Sequence, residues 1–457
     1  MTDETVRGGK RIAPDRAHVR SDGEVDADRL LYADAFRRLS GVTQVVTPRD
    51  EFVQHDRLTH SLKVAQVARR MAVHLRREAG APVDPDTVYA ASLAHDLGHP
   101  PFGHAAEREL QGILEGRRNR GGPVSPLASG DVPTLPDSFE GNAQTFRVLT
   151  RITFRKEDER AGLNWSLRSL GAVAKYPWER GGHTRPSLAD KWGAYGSEVD
   201  LLDRVIEEVR ALGLWTGERS LEADVMDWSD DIAYAVHDIE DFYRSESIPL
   251  GRLQQDDEEW DDYLAFVAAQ VAYKGWEASD LERVATEVRR HLPTQPYRGS
   301  ARNRFEIRAF AIAMTRLLTG GLACADRGLV VPQRNRMAAE ILKNLTWRYV
   351  INRPDVVMMQ RGQQRVVREL LWDLRELLLE HLDTLGRSWS PLPPRLVSYG
   401  QLALRDDAAA GYDTVEQRAT RAVVDFICSL TDRQAGMLHL RLTGDGSGGI
   451  GHDWLTI

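Results

Sequence analysis

The chain has 457 residues, 42% apolar and 28% charged, a balance that permits a sizeable buried core and excludes a low-complexity or disordered protein. The formal net charge of −8 argues against a constitutive nucleic-acid coat, so positive charge for an anionic ligand must be concentrated locally, most compactly by a metal ion. Cys324 and Cys428 are the only cysteines, which rules out a disulfide framework and a Cys-based zinc site.

No apolar run approaches the roughly 18 residues of a membrane span, and Met1 to Lys10 lack a signal-peptide core. A cytoplasmic protein without membrane contact is therefore expected. Residues 1–25 are polar and aperiodic, the composition of a flexible arm. From Asp28 the spacing of Leu30, Leu31, Ala35, Phe36 and Leu39 predicts a helix that Gly41 ends. Val42 to Val46, before Pro48, then reads as a short extended segment presenting Gln44. Helical spacing returns at Leu58 and runs to about Leu75, with His60 in the first turn just after Arg57. Asp84-Pro85 is a good N-cap and first-turn pair for the next helix, which passes through Val88, Ala91 and Ala94 to His95-Asp96. Val88, Ala91 and His95 share one face, so His95 points at the core. Asp96 lies at the C-terminal end, where the helix dipole disfavours a carboxylate unless a cation is near.

Gly98, Pro100, Pro101 and Gly103 bend the chain before a second helix that carries His104 and Glu107. Residues 115–138, rich in Arg, Gly, Pro and Ser, read as a long mobile loop. Phe139 to Gln144 opens another helix. The stretch from Leu163 to Glu198 reads as irregular, aromatic and basic; its Lys175-Tyr176-Pro177-Trp178 and Lys191-Trp192-Gly193 suit either ordinary turns or ligand contacts. In the helix from Leu221 to Tyr243, Asp230, Tyr234, His237, Asp238 and Asp241 fall on one polar stripe. Such a stripe is usually a solvated face, but this one contains a Tyr and a His. Further helices are predicted at about 257–273, 278–291, 302–319, 333–346, 363–384 and 413–440. No internal repeat and no phosphate loop of the GxxxxGK[ST] type occurs. The expected fold is all-α: a core over 26–245 and a helical elaboration over 246–457 that completes the pocket and makes oligomer contacts.

The stretch from Leu93 to Glu107 holds His95, Asp96, His99, His104 and Glu107, a density of acid/base groups that surface decoration does not explain. A divalent cation held by His60, His95, Asp96 and one of Asp230 and Asp231 would keep open positions for water and a phosphoryl oxygen. That donor set suits Mn²⁺ or Mg²⁺, with other transition metals also accommodated. Such an ion polarises a phosphoryl oxygen and orients an attacking water. His104 and Glu107 are spaced to hydrogen-bond across one helical turn, as an acid/base pair requires.

These residues resemble a family. His60, His95-Asp96 and a distant Asp are similar to the HD-domain metal phosphohydrolases. Arg29 to Gln44, Arg57 to Ser61, His95 to His104, Phe139 to Gln144, Lys175 to Pro177, Asp230 to Asp238 and Thr431 to Arg433 resemble the deoxyguanosine triphosphate triphosphohydrolases more narrowly. The resemblance is dense over 26–245 and looser over 330–440. It implies cleavage of dNTPs, dGTP among them, to deoxynucleoside and inorganic triphosphate by water attack at the α-phosphorus. Carried over by motif, it implies metal ligands His60, His95, Asp96 and Asp230, with Asp230 chosen because it precedes Tyr234 by one turn. It implies His104 and Glu107 as the catalytic dyad. Gln44 and Asp238 would bind the sugar 3′-OH, and Tyr234 would stack under the ribose and leave no room for a 2′-OH. His99, Arg57, Asn142, Lys175, Tyr176 and Lys191 would contact phosphate. Asp231 stands where a vertebrate relative has a phosphate-binding Lys, so the triphosphate grip differs here. Trp347 to Asn352 is the candidate region for reading the base. Implied partners are a homo-oligomer, commonly a hexamer, and an activating dNTP at a second site. Two rival readings are another HD activity, such as a nucleotidase or phosphodiesterase, and a regulatory protein that binds nucleotides or single-stranded DNA. The latter would draw on the basic stretches Arg117–Arg120 and Arg361–Arg368.

Overall fold

The computed structural model describes residues 10–13, 19–44, 55–120, 122–123, 132–153, 162–325, 328–387, 389–405 and 412–444. Among these the regular structure is eighteen α-helices, short 3₁₀ and π turns, and two small two-stranded ribbons, so the fold is all-α as the spacing predicts. No described helix is long and apolar enough to cross a membrane.

Three helices build the centre, and local chemistry sets the ends of each. In Arg57–Ala79 the Asp56 carboxylate accepts the Thr59 amide, and Gly80 in the left-handed region closes the far end. In Pro85–Ala94 the Asp84 carboxylate accepts the Asp86 and Thr87 amides, and Pro85 occupies the first turn, where its missing N–H has no partner to lose. Leu221–Arg244 is capped by the Ser220 hydroxyl on the Ala223 amide. The three pack on one another. Val64, Ala68, Met71, Val88, Val225, Ile232 and Val236 are buried along their shared faces.

The second half of the chain does not form a separate core. Leu371, Leu374, Val423 and Phe426 share one apolar cluster with Leu93, Leu110 and Phe146, while Phe310, Met337 and Leu342 share another with Met71, Val88 and Val225. Buried ions reinforce the join. Arg147 donates to Asp425 at 2.9 Å and to Glu198 at 2.8 Å. Arg421 donates to Asp137 at 2.8 Å and lies over the Tyr195 ring.

Several boundaries differ from the sequence expectation. The first helix starts at Asp22, set by a Ser21–Glu24 capping box. Within 1–25, the described Arg11 is anchored rather than free: it pairs with Asp22 at 2.6 Å and with the fully buried Asp26 at 2.5 Å, a carboxylate that needs a cation. The supposedly irregular stretch contains the helix Leu167–Val173. Its Gly171 lies where a Cβ would come within 2.3 Å of Val209 Cγ2, so the glycine reflects close packing and not a break. The expected 413–440 helix is two, Val415–Ile427 and Asp432–Leu442. Of the expected 115–138 loop, residues 121 and 124–131 lie outside the described residues, while Arg118–Asn119 pairs with Gly122–Pro123 as a short ribbon.

Candidate active site

His60, His95 and Asp230 converge from the three central helices. His60 Nε2 lies 3.0 Å from Asp230 Oδ1, and His95 Nε2 lies 3.6 Å from both Asp230 Oδ1 and Asp96 Oδ1. One donor atom from each of His60, His95 and Asp230 falls within 4.8 Å of the others, the compactness a single cation requires. His95 donates Nδ1–H to the Ser92 carbonyl at 2.7 Å, which turns Nε2 inward as a lone-pair donor. That Nε2 is buried and has no hydrogen-bond partner. Asp96 stands beside the three with its other oxygen on Arg57 at 2.7 Å.

Charge runs high here. Burial disfavours the imidazolium of His95, but Asp96 and Asp230 overcome it and raise the group to about 9. Burial likewise disfavours ionised Asp230, yet His95 and the His60 hydrogen bond hold it well below the usual carboxylate range. In His99, burial and the Arg57 guanidinium outweigh Asp96 and lower the ring to about 4, so it is neutral at pH 7.

The second group lies past the bend. His104 opens the helix His104–Leu114, and its Nδ1 meets Glu107 Oε2 at 2.8 Å. His104 is largely exposed while Glu107 is buried, so the carboxylate orients a ring that projects outward. The other Glu107 oxygen accepts the Gly141 amide at 3.3 Å. Despite burial, the hydrogen bond and charge of His104, with His99 and Lys191, hold Glu107 below the ordinary range. Two glycines make the bend. Gly98 packs on the helix Gly141–Arg147 so closely that a Cβ would sit 2.2 Å from the Gly141 carbonyl oxygen. Gly103, at φ +57°, lies where a Cβ would meet Arg57 Nη2 at 2.8 Å.

The remaining predicted residues are found as follows. Lys175 Nζ lies 2.5 Å from Asp227 and 3.8 Å from Asp230 Oδ2. Lys191 lies 3.1 Å from Glu140 and 3.8 Å from Glu107. Asn142 donates to Glu140 at 2.9 Å. Tyr176 packs its ring 5.6 Å from that of Trp178. Tyr234 is one turn beyond Asp230 on the same helix, and Asp238 one turn further. Burial, with Asp241 and Asp230, pushes the Asp238 carboxyl well above the usual range. Gln44 Oε1, Asp238 Oδ2 and two nitrogens of Arg57 are buried without hydrogen-bond partners, so polar groups that ordinarily demand satisfaction are held ready.

Sequence reasoning missed Lys343. It reaches Asp231 Oδ1 at 2.5 Å from the helix Gln333–Thr346, bringing a cation from the C-terminal half to the residue after Asp230. Nothing in the local pattern reveals this pairing across the chain. In the candidate region Trp347 to Asn352, Arg348 pairs with Asp262 and Tyr349 with Glu259. The basic stretches are largely neutralised, Arg117 by Glu115, Arg118 and Arg368 by Glu109, and Arg120 by Asp373. A cavity of about 920 Å³ lies behind Arg38, lined by Arg29, Tyr399 and Gln434 among others; none of the clustered histidines and carboxylates lines it.

The HD domain model matches residues 57–124, and the phosphohydrolase-associated domain model matches 329–441. A deoxyguanosinetriphosphate triphosphohydrolase-like protein of Streptomyces coelicolor is 35% identical, over 94% of this chain and 95% of its own. A protein of that name from Corynebacterium glutamicum is 32% identical, over 93% and 92%. A third from Vibrio cholerae is 29% identical, over 94% and 91%. With His60, His95, Asp96, His104 and Glu107 inside the HD match and likeness along nearly its whole length, the chain belongs to the deoxyguanosinetriphosphate triphosphohydrolase-like family of HD-domain phosphohydrolases.

Proposed function

We propose that this protein hydrolyses deoxynucleoside triphosphates, dGTP among them, to deoxynucleoside and inorganic triphosphate. The observation that carries the reading is the pairing of two clusters across one bend: His60, His95 and Asp230 with Asp96 on one side, His104 with Glu107 on the other. The relatives' name points the same way.

The donor set fits a divalent cation, because His95 Nε2 is an orphaned buried nitrogen facing two carboxylates. His60, His95, Asp96 and Asp230 would hold it, and Mn²⁺ or Mg²⁺ suits the mixed nitrogen and oxygen ligands. When bound, the ion supplies Lewis-acid polarisation of the α-phosphoryl group and lowers the pKa of an attacking water. The protein's own residues do the rest. Lys175, Lys191, Asn142, Tyr176, His99 and the unpartnered nitrogens of Arg57 hold the polyphosphate; Gln44 and Asp238 hold the sugar 3′-OH, above Tyr234. Burial, with Asp241 and Asp230, raises the Asp238 carboxyl, and its buried, unpartnered Oδ2 is placed to meet a hydroxyl. Water oxygen bonds to the α-phosphorus, the P–O5′ bond breaks, and His104, oriented by Glu107, delivers a proton to the departing 5′-oxygen.

Incubation of each dNTP with the protein and Mn²⁺ or Mg²⁺ tests the reading by product analysis. Inorganic tripolyphosphate is expected, and His95→Ala/Asp96→Ala abolishes it; pyrophosphate or orthophosphate as first product refutes the assignment.

A further inference from the structure

The turn between the helices Val415–Ile427 and Asp432–Leu442 makes contacts that the reaction above leaves unused. Asp432 is the first residue of its helix, behind the Thr431 cap. Its Oδ1 accepts the Phe102 amide at 2.7 Å, and its Oδ2 accepts the Thr43 amide at 3.1 Å as well as the Thr43 hydroxyl. One carboxylate thus holds two loops from the opposite end of the sequence.

Those loops are the ones that matter. Thr43 immediately precedes Gln44, on a bridge that pairs Thr43 with Asp56 at the head of the His60 helix. Phe102 sits in the bend that delivers His104. It has φ +66°, a left-handed conformation that is unfavourable for a bulky side chain and persists only where surroundings enforce it. The Asp432 bond to its amide is such an enforcement. The same turn grips these loops elsewhere: Arg38 donates to the carbonyls of Leu430 at 2.8 Å, Leu97 at 3.0 Å and His99 at 2.6 Å. Gly41 lies so close under Thr431 that a Cβ would meet its Cγ2 at 2.6 Å. Arg38 and Gly41 hold backbone on either side. Asp432 touches both the residue beside Gln44 and the residue that turns the chain toward His104.

We propose that Asp432 is a positioning residue that couples the sugar-binding Gln44 to the proton-donating His104 by holding Thr43 and Phe102 on a single carboxylate. The proposal rests on the roles given to Gln44 and His104 above. A 3′-OH held by Gln44 places the 5′-oxygen under His104 only while the two loops keep their register, and misplacement by about 1 Å can lower turnover on the order of 10²-fold. Asp432→Asn keeps one acceptor oxygen but sets an NH₂ against the other backbone N–H, so one loop is released.

The test uses the full chain. Asp432→Asn and Thr43→Val, which removes only the hydroxyl contact, are each compared with wild type on a dNTP and on its 2′,3′-dideoxy counterpart. Hydrogen exchange at Thr43 and Phe102 is followed in the same proteins. Asp432→Asn is expected to lose about 10²-fold in kcat/KM on the dNTP and less than about tenfold on the dideoxy substrate, whose 3′ anchor is already missing. Thr43→Val shows the same pattern at smaller size, and keeps the test open if Asp432→Asn does not fold. Exchange at the released loop accelerates while the melting temperature holds. Equal loss on both substrates overturns the coupling, as does unchanged exchange at both loops. Accelerated exchange in a protein that releases no tripolyphosphate from any dNTP instead supports the clamp and refutes the reaction assigned above.

Discussion

The His95 proton makes metal binding pH-dependent in a way that can be worked out. Without a cation, Asp96 and Asp230 prevail over burial and raise His95 to about 9, above its ordinary 6.5. A group raised on folding contributes stability that is full below the unfolded value and lost as pH climbs through the folded one, here between about 6.5 and 9. A cation ligated by His95 Nε2 must displace that proton. Affinity therefore climbs about tenfold per pH unit below 9, roughly 30-fold between pH 7 and pH 8.5, equivalent to about 2 kcal/mol. Calorimetric titration of the metal-free protein with Mg²⁺ or Mn²⁺, in two buffers of different ionisation enthalpy, should show close to one proton released per ion at pH 7. Heats independent of the buffer, with an affinity flat across the window, would show that His95 does not give up a proton to the metal.

Further outcomes follow from the same geometry. His104→Ala should lower kcat by about 10²- to 10⁴-fold with little change in KM, since the role proposed for His104 is to move a proton and not to grip phosphate; a rise in KM alone contradicts the role. Lys343→Met leaves Asp231 unpaired beside the site, and steady-state kinetics should show a raised KM for dNTPs with kcat less affected. Arg147→Ala removes the guanidinium that bridges two fully buried carboxylates, leaving Asp425 without its ion pair and Glu198 with only Arg151 at 3.5 Å, and should destabilise the fold by about 3–5 kcal/mol in guanidinium titrations. A loss under about 1 kcal/mol would mean that these acids are neutralised some other way.

What the sequence shows and what it hides divide along physical lines. Local signals carry far: Asp84-Pro85 marks a helix start because its chemistry is complete within a few residues, and the Asp230 stripe declares its face by period alone. The first helix starts before its apolar spacing does, because the Ser21–Glu24 capping box and not the apolar pattern sets its end. The helix Leu167–Val173 is short and contains a glycine, and only contact with Val209 shows that this glycine is packed and not a breaker. Family resemblance supplied roles that spacing alone left open, Asp230 over Asp231 among them. In the fold Asp230 faces His60 and His95 while Asp231 faces Lys343. Lys343 and Asp432 escape any local reading, because their partners lie on distant segments that only tertiary packing unites.

The central claim is water attack at the α-phosphorus with cleavage of the P–O5′ bond. Hydrolysis of dGTP in H₂¹⁸O, with mass analysis of both products, tests it most directly. The account predicts one ¹⁸O in inorganic triphosphate and an unlabelled deoxyguanosine 5′-OH. Label in the nucleoside, or pyrophosphate in place of triphosphate, would contradict it.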